Sequence, residues 1–285
     1  MNLCDYDTIR ALLGRHGFHF SKSMGQNFLI DPQVPMDIAA ASGADEHRGV
    51  LEIGPGIGPL TAQLAQRAGK VVSVELDSSL LPVLAETMAP YPNVEIVPGD
   101  VLKLDLAALA AEKFQGLTPM VCANLPYNIT TPILEKLVET PCFERFTVMI
   151  QKEVAQRLCA PEGSAQGGSF SLFLRYYMEP EYLFDVPADR FLPPPKVTSA
   201  VIRCVRRSRP AVEVEDEAFF FKVMRGAFLL RRKTLSNSLA AALPGFSRAQ
   251  VQSAMERCGL APTVRGEALT LQDFAALARA LKEET

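Results

Sequence analysis

From about residue 50 onward, short apolar runs rich in β-branched residues alternate with segments of helical periodicity, and this alternation restricts the fold more tightly than any other property of the chain. The runs are VLEIG (50–54), VVSVEL (71–76), VEIV (94–97), MVCAN (120–124) and FTVMI (146–150). Between them lie TAQLAQRAG, SSLLPVLAETM, LDLAALAAEKF and TPILEKLVE, whose apolar residues recur at helical spacing. A strand that is apolar throughout must be covered on both faces, and covered parallel strands are joined by right-handed helical crossovers. The pattern predicts an α/β, Rossmann-like fold: a mostly parallel sheet with helices on both faces, completed by EYLFDV (181–186) and TSAVIRCV (198–205). A short amphipathic helix is expected over 6–16, with acidic residues at its start where the helix dipole favours them.

After Arg209-Pro210 the alternation stops. EDEAFFFKVMRGAFLL, RRKTLSNSLAAAL, SRAQVQSAMERCGL and LTLQDFAALARALKEE are helical patterns with no strand between them. The expected division is a large domain over 1–209 and a small all-helical one over 210–285. A chain of 285 residues, 48% hydrophobic, is long enough for both cores. No apolar run reaches the length that spans a bilayer, and MNLCDYDTIRALLGRHG lacks the basic-then-apolar order of a secretion signal. A cytoplasmic protein without membrane attachment is expected. Six cysteines lie scattered with no Cys-x-x-Cys pair, and three histidines near the start have no ligand spacing, so neither disulfide nor metal is expected.

The first run leads into Glu52-Ile53-Gly54-Pro55-Gly56-Ile57-Gly58. Glycines at alternate positions, Gly54 and Gly56 foremost, let the backbone turn tightly and approach a ligand with no Cβ in the way. Open parallel sheets bind ligands at the carboxyl ends of their strands, beside the point where strand order reverses. Glu75 ends the next strand, 21 residues beyond Gly54, where an acid accepts from ribose hydroxyls. These features fit a dinucleotide dehydrogenase as well as a methyltransferase, although the spacing is Gly-x-Gly-x-Gly rather than Gly-x-Gly-x-x-Gly. Asp100, in Gly99-Asp100-Val101, is placed either to accept from an adenine amino group or to cap a following helix.

Asn124-Leu125-Pro126-Tyr127, at the end of the fourth run, breaks the tie. The amino nitrogen of adenine is a poor nucleophile because its lone pair is delocalised into the ring. Two acceptors for its N–H groups favour a pyramidal nitrogen and turn the lone pair toward a methyl donor. Asn124 offers a side-chain carbonyl and Leu125 a backbone carbonyl. Pro126 fixes its own φ and restrains Leu125 to an extended conformation. Tyr127 presents a face on which a base stacks, worth about 1–3 kcal/mol per base. Alignment at roughly 3–3.5 Å then supplies most of the catalysis, with no catalytic Ser, Cys or His needed.

On these residues the chain resembles the KsgA/RsmA family of ribosomal RNA adenine dimethyltransferases over roughly 20–240. Gly25-Gln26-Asn27-Phe28-Leu29, Glu52–Gly58, Val74-Glu75-Leu76-Asp77 and Asn124–Ile129 follow the family's motifs in order. Gln151-Lys152-Glu153-Val154, Phe191-Leu192-Pro193-Pro194-Pro195-Lys196-Val197 and Arg231-Arg232-Lys233-Thr234-Leu235 do so further on. The resemblance implies a class I methyltransferase fold and S-adenosylmethionine as cofactor. Asn27 and Leu29 would line its methionine end, Gly54 the glycine loop, Glu75 the ribose and Asp100 the adenine. Asn124 would bridge cofactor and target amine, and Phe191 would be a second stacking platform opposite Tyr127. The implied reaction dimethylates two adjacent adenines near the 3′ end of small-subunit rRNA. Where the family commonly carries Tyr-Gly, this chain reads Ala165-Gln166-Gly167-Gly168-Ser169.

Net charge is −3, so the partner is not advertised by charge overall. Between Arg190 and Lys233, however, eleven Lys and Arg face four Asp and Glu. Arg203, Arg206, Arg207, Arg231, Arg232 and Lys233 are the candidate phosphate contacts, with a solvated face as the alternative. The expected partner is small-subunit rRNA in a partly assembled 30S particle, met by a monomer. Rival readings are a large-subunit rRNA methylase of the resistance type, a DNA adenine methylase, and an assembly factor for which binding outweighs methylation.

Overall fold

The computed structural model describes residues 1–18 and 27–284. In chain order the elements are α1 (Tyr6–Arg15), β1 (Phe28–Leu29), α2 (Gln33–Ser42), β2 (Arg48–Ile53), α3 (Pro59–Ala65), β3 (Lys70–Glu75), α4 (Leu81–Met88) and β4 (Val94–Pro98). They continue as α5 (Leu106–Lys113), β5 (Thr118–Asn124), α6 (Thr130–Glu139), β6 (Arg145–Gln151), α7 (Lys152–Cys159), α8 (Ser169–Tyr177), β7 (Met178–Val186), β8 (Phe191–Leu192) and β9 (Ser199–Arg206). Four helices close the chain: α9 (Glu217–Ala227), α10 (Leu235–Ala242), α11 (Arg248–Arg257) and α12 (Leu271–Lys282).

Seven strands form one sheet in the order β4-β3-β2-β5-β6-β9-β7. From β4 to β6 every pairing is parallel, and β9 joins β6 antiparallel. In β2, Gly49 through Ile53 are all buried, as are Val71 through Glu75 in β3. Successive strand residues face opposite sides of a sheet, so unbroken burial means both faces are covered. The expected Rossmann-like sheet is therefore present. Strand order reverses between β2 and β5, which leaves a crevice at their carboxyl ends. A separate two-stranded sheet pairs β1 with β8, Leu29 opposite Phe191, and brings the stretch after the N-terminal motif beside that crevice. Neither this pairing nor α2 is foreseen from periodicity.

The chain separates into two compact units, and the boundary differs from the expected break at 209/210. Residues 1–155 and 181–206 form the sheet unit, while 156–180 group with 207–285. Aromatic packing is the reason. Phe173 and Tyr176 of α8 lie 5.3 and 5.0 Å from Phe221 of α9, ring centre to ring centre, and Tyr176 lies 5.4 Å from Phe220. The Tyr176 hydroxyl also donates to Glu217, and Glu162 accepts the Leu271 N–H at the start of α12 at 2.9 Å. Among the described residues no helix is long and apolar enough to cross a membrane. All six cysteines are free thiols.

Candidate active site

The crevice beside the reversal point holds a cavity of about 410 Å³ within the sheet unit. Asn27, Leu29, Gly54, Gly56, Glu75, Asp100, Asn124, Leu125, Pro126, Tyr127 and Phe191 all line it. The expected cofactor and catalytic residues, spread over more than 160 positions of sequence, thus converge on one place. Gly25 and Gln26 of the N-terminal motif lie outside the described residues.

The floor is the glycine turn leaving β2. Gly54, Gly56 and Gly58 have φ of 67°, 62° and 92°, values that glycine adopts without the Cβ clash other residues meet. A Cβ on Gly54 would point into open space, so the turn leaves a cradle there, whereas one on Gly58 would come 2.4 Å from Met88. The turn is pinned by Gly54 N–H donating to Val74 O at 2.9 Å and Gly58 N–H to Pro55 O at 2.9 Å. Glu75 ends β3 with one oxygen accepting from Gly56 N–H (3.3 Å) and the other from Asp77 N–H (2.8 Å). Burial pushes its carboxyl above the ordinary range. Asp100 accepts from Leu102 N–H at 3.0 Å. The following helix, α5, is capped by Asp105 instead, so Asp100 is a turn former facing the cavity and not a helix cap.

Glu52, the opening residue of the glycine motif, is a site residue that the motif's spacing does not single out. It lies in the cavity wall, 1% exposed, with one carboxylate oxygen accepting from both Thr61 of α3 and Ser73 of β3 at 2.6 Å. Burial pushes its pKa to about 7 against those two hydrogen bonds. Glu52 therefore ties two strands and the helix that follows the glycine turn. The signal was available: a carboxylate inside a doubly covered strand has to find buried partners.

Asn124 ends β5, half-buried. Leu125 anchors the next residues, its side chain 1% exposed and its N–H donating to Met149 O at 3.0 Å. Pro126 sits at φ −63°, ψ 129°, and its carbonyl accepts from Thr130 Oγ1 at 3.0 Å. Tyr127 opens a short helical turn, and its hydroxyl hydrogen-bonds Ser199 of β9, which is fully buried. Phe191 reaches the cavity only as a wall. It is 2% exposed and packs in the core with Leu29.

The six candidate phosphate contacts divide between the two units, Arg203 and Arg206 in the first and Arg207, Arg231, Arg232 and Lys233 in the second. Arg203 pairs with Glu181 at 2.6 Å. Arg206 is a structural donor: its guanidinium reaches the carbonyls of Leu137, Val138 and Thr140 at the end of α6, and of Phe143 in the loop beyond, at 3.0–3.1 Å. Arg207 donates to Arg175 O and pairs with Glu179 at 2.8 Å. Arg231, Arg232 and Lys233 are exposed on the turn between α9 and α10, with Arg231 3.4 Å from Gly167 O. Among the described residues no three His, Cys, Asp or Glu side chains gather as a metal site.

A doubly wound sheet whose glycine turn, ribose-distance acid and Asn-Leu-Pro-Tyr loop meet in one crevice defines a class I methyltransferase. The family described as ribosomal RNA adenine dimethylase matches residues 17–283. Similar proteins named "Ribosomal RNA small subunit methyltransferase A" come from Streptococcus sanguinis, 48% identical over all of this chain and 99% of that protein, and Geobacillus thermodenitrificans, 49% identical over 95% and 94%. Among solved structures, a 23S rRNA methyltransferase, ErmE, superposes with TM-score 0.66 at 27% identity, over 90% of this chain and all of that one. A dimethyladenosine transferase from Plasmodium falciparum shares the fold with TM-score 0.74 at 23% identity, over 90% and 98%. The chain belongs to the ribosomal RNA adenine dimethylase family.

Proposed function

We propose that this chain transfers methyl groups from S-adenosylmethionine to N6 of two adjacent adenines near the 3′ end of small-subunit rRNA. The observation that carries the reading is the convergence of four strand ends and the Asn124–Tyr127 loop on one cavity. Its volume of about 410 Å³ suits a nucleoside-sized ligand. The cradle at Gly54 and the two carboxylates at Glu75 and Asp100 match the hydroxyls and amino group of an adenosine. When bound, the cofactor supplies an electrophilic methyl group. Glu75 accepts from the ribose, Asp100 from the adenine amine, and Asn27 and Leu29 line the remaining end.

The chain's own residues do the rest. For the first methyl, Asn124 Oδ1 and the Leu125 carbonyl accept the two N–H groups of the target amine and hold its lone pair in line. The methylated nitrogen then sheds one proton to solvent, and for the second methyl its remaining N–H is held by one of the same two acceptors. Pro126 keeps that carbonyl oriented, and Tyr127 stacks the base against the wall that includes Phe191. Small-subunit specificity is supported by relatives of 48–49% identity bearing that name, against 27% for the large-subunit enzyme. The cationic turn Arg231–Lys233 is the phosphate-contacting part of the helical domain, and the substrate is a partly assembled 30S particle met by a monomer in the cytoplasm. Purified unmethylated small subunits incubated with methyl-labelled cofactor test this. Label mapped to two adjacent adenines near the rRNA 3′ end is expected, and label only in large-subunit rRNA overturns the reading.

A further inference from the structure

Between α9 and α10 the chain holds two leucines in water beside three cations. Leu229 is 60% and Leu230 40% exposed, and Arg231, Arg232 and Lys233 follow, all exposed. Phe228, one residue earlier, turns inward to a ring 6.3 Å away, Phe274. The same short segment therefore half-buries one apolar side chain and presents the next two.

This presentation is built, because backbone hydrogen bonds hold the turn at Leu229, Leu230 and Lys233. Leu229 N–H donates to Gly226 O at 3.2 Å and Lys233 N–H to Leu230 O at 2.8 Å. Leu230 N–H donates to Ser238 Oγ at 3.0 Å, and that hydroxyl donates in turn to Gly226 O at 2.7 Å. Ser238 is fully buried, and a Cβ on Gly226 would come within 2.8 Å of Ala242, so α9 and α10 lock the base of the turn. A fixed turn that exposes two adjacent leucines gains nothing in the isolated chain, since apolar area left in water forgoes the stabilisation of burial.

We infer that Leu229 and Leu230 form an apolar contact seated in the shallow minor groove of a folded rRNA helix, with the neighbouring cations on its phosphates. This rests on the reading of Arg231–Lys233 as RNA-binding. The occupant follows from the chemistry of the patch. The minor groove of A-form RNA is wide and shallow, displays sugar and base edges, and is bordered by phosphates, whereas its major groove is too narrow for side chains. On DNA, apolar side chains inserted at the minor groove beside cations are a recurrent mode of binding, and the wider minor groove of A-form RNA admits the same pairing of apolar and cationic groups. An apolar face on another protein would leave three adjacent cations without counter-charge.

The test uses the full chain and measures binding to unmethylated small subunits and to protein-free small-subunit rRNA over a range of salt. Leu229→Ser with Leu230→Ser is expected to weaken both by about tenfold, the scale of two partly buried leucines, with an unchanged salt slope. Melting temperature and S-adenosylmethionine affinity should stay at the parent values, which excludes misfolding. Arg232→Ala with Lys233→Ala should instead lower the salt slope by about two, one per phosphate contact. Parent affinity for both RNAs in the leucine variant overturns the inference. A loss confined to protein-containing particles also overturns it, assigning the leucines to a ribosomal protein. An unchanged slope in the cation variant, with the leucine variant weakened, removes the phosphate reading and leaves the apolar contact standing.

Discussion

The sheet unit and the helical unit use charge in opposite ways. In the first, the functional acids are withdrawn from water: Glu52 is 1% and Glu75 7% exposed, each held by hydroxyl or N–H donors. In the second, Arg231, Arg232 and Lys233 stand in solvent on a fixed turn. A cavity that recognises a small ligand needs polar groups fixed before the ligand arrives. A surface that meets phosphate needs charge that is still hydrated and free to release counterions. Arg203 and Arg206 lie in the basic stretch of the sequence but belong with the first kind, because the fold has already given them partners.

The sharpest break between the two regions is expected at Asn124. Asn124→Ala removes one acceptor from the reacting amine and should lower turnover by about 10²–10³, the usual cost of one positioned polar group. Binding to the small subunit should be kept, since Asn124 is not among the residues proposed to meet phosphate. Single-turnover rates and a filter-binding measurement on the same preparation check both halves. Parent turnover at saturating cofactor would remove Asn124 from the chemistry.

Glu52 gives the next largest effect, read through pH. Its folded pKa is about 7 against an ordinary 4.5, so the folded chain holds an extra proton between those values. Stability from this group is complete below pH 4.5 and is lost as pH rises through about 7. Over that window the loss is on the order of 3 kcal/mol. Glu52→Gln keeps an acceptor for Thr61 and Ser73 without the titration. Its melting temperature should therefore change much less between pH 5.5 and 8.5, with a residual slope of the same sign from Glu75, which burial also raises. Carboxylates held low by cations, such as Glu144 beside Arg48 and Arg145, act below that window. Identical pH profiles for variant and parent would show that Glu52 is not strained by burial.

What the sequence disclosed divides along the same line. Strands β2 to β6 were legible because a doubly covered parallel sheet demands continuous apolar runs. The ends of those strands carried Gly54, Glu75, Asp100 and Asn124, so most of the cavity was legible with them. Helix α8 was not, because four of the nine residues of SFSLFLRYY are aromatics that favour strands and offset its two leucines and its arginine. Its helical form comes from aromatic packing on α9, which no local pattern records. The division of the chain was misplaced for the same reason. Arg206 passes for a phosphate contact in the sequence because a count of charges does not show that three carbonyls at the end of α6 and one in the loop beyond it take its guanidinium.

Arg206 and Arg232 turn that lesson into an experiment. Arg206→Ala strands several carbonyls and should cost about 1–3 kcal/mol of stability, visible as a lower denaturation midpoint. Arg232→Ala should leave the midpoint unchanged and lower the salt slope of RNA binding by about one. The reverse pattern would mean that position in the basic stretch, and not the partners the fold provides, decides what a cation does.

The smallest effect is expected where the cavity's stacking face is braced. Tyr127 and Ser199 are 72 positions apart, yet their hydroxyls are hydrogen-bonded, joining the Asn124–Tyr127 loop to β9. Burial pushes the Tyr127 phenol up, so it stays neutral through the working range and either hydroxyl can donate. Tyr127→Phe keeps the ring and loses the bond, and Ser199→Ala loses the same bond from the other side. Each should cost about 1 kcal/mol, the net value of one neutral hydrogen bond, read as a several-fold fall in kcat/KM for RNA with cofactor affinity unchanged. Because both remove one interaction, the double variant should cost little more than either alone. Tyr127→Ala should cost more than Tyr127→Phe, since it also removes the base's stacking partner. Additive losses in the double variant would mean that Ser199 acts on β9 alone and that the ring of Tyr127 is held by its packing, without the hydroxyl.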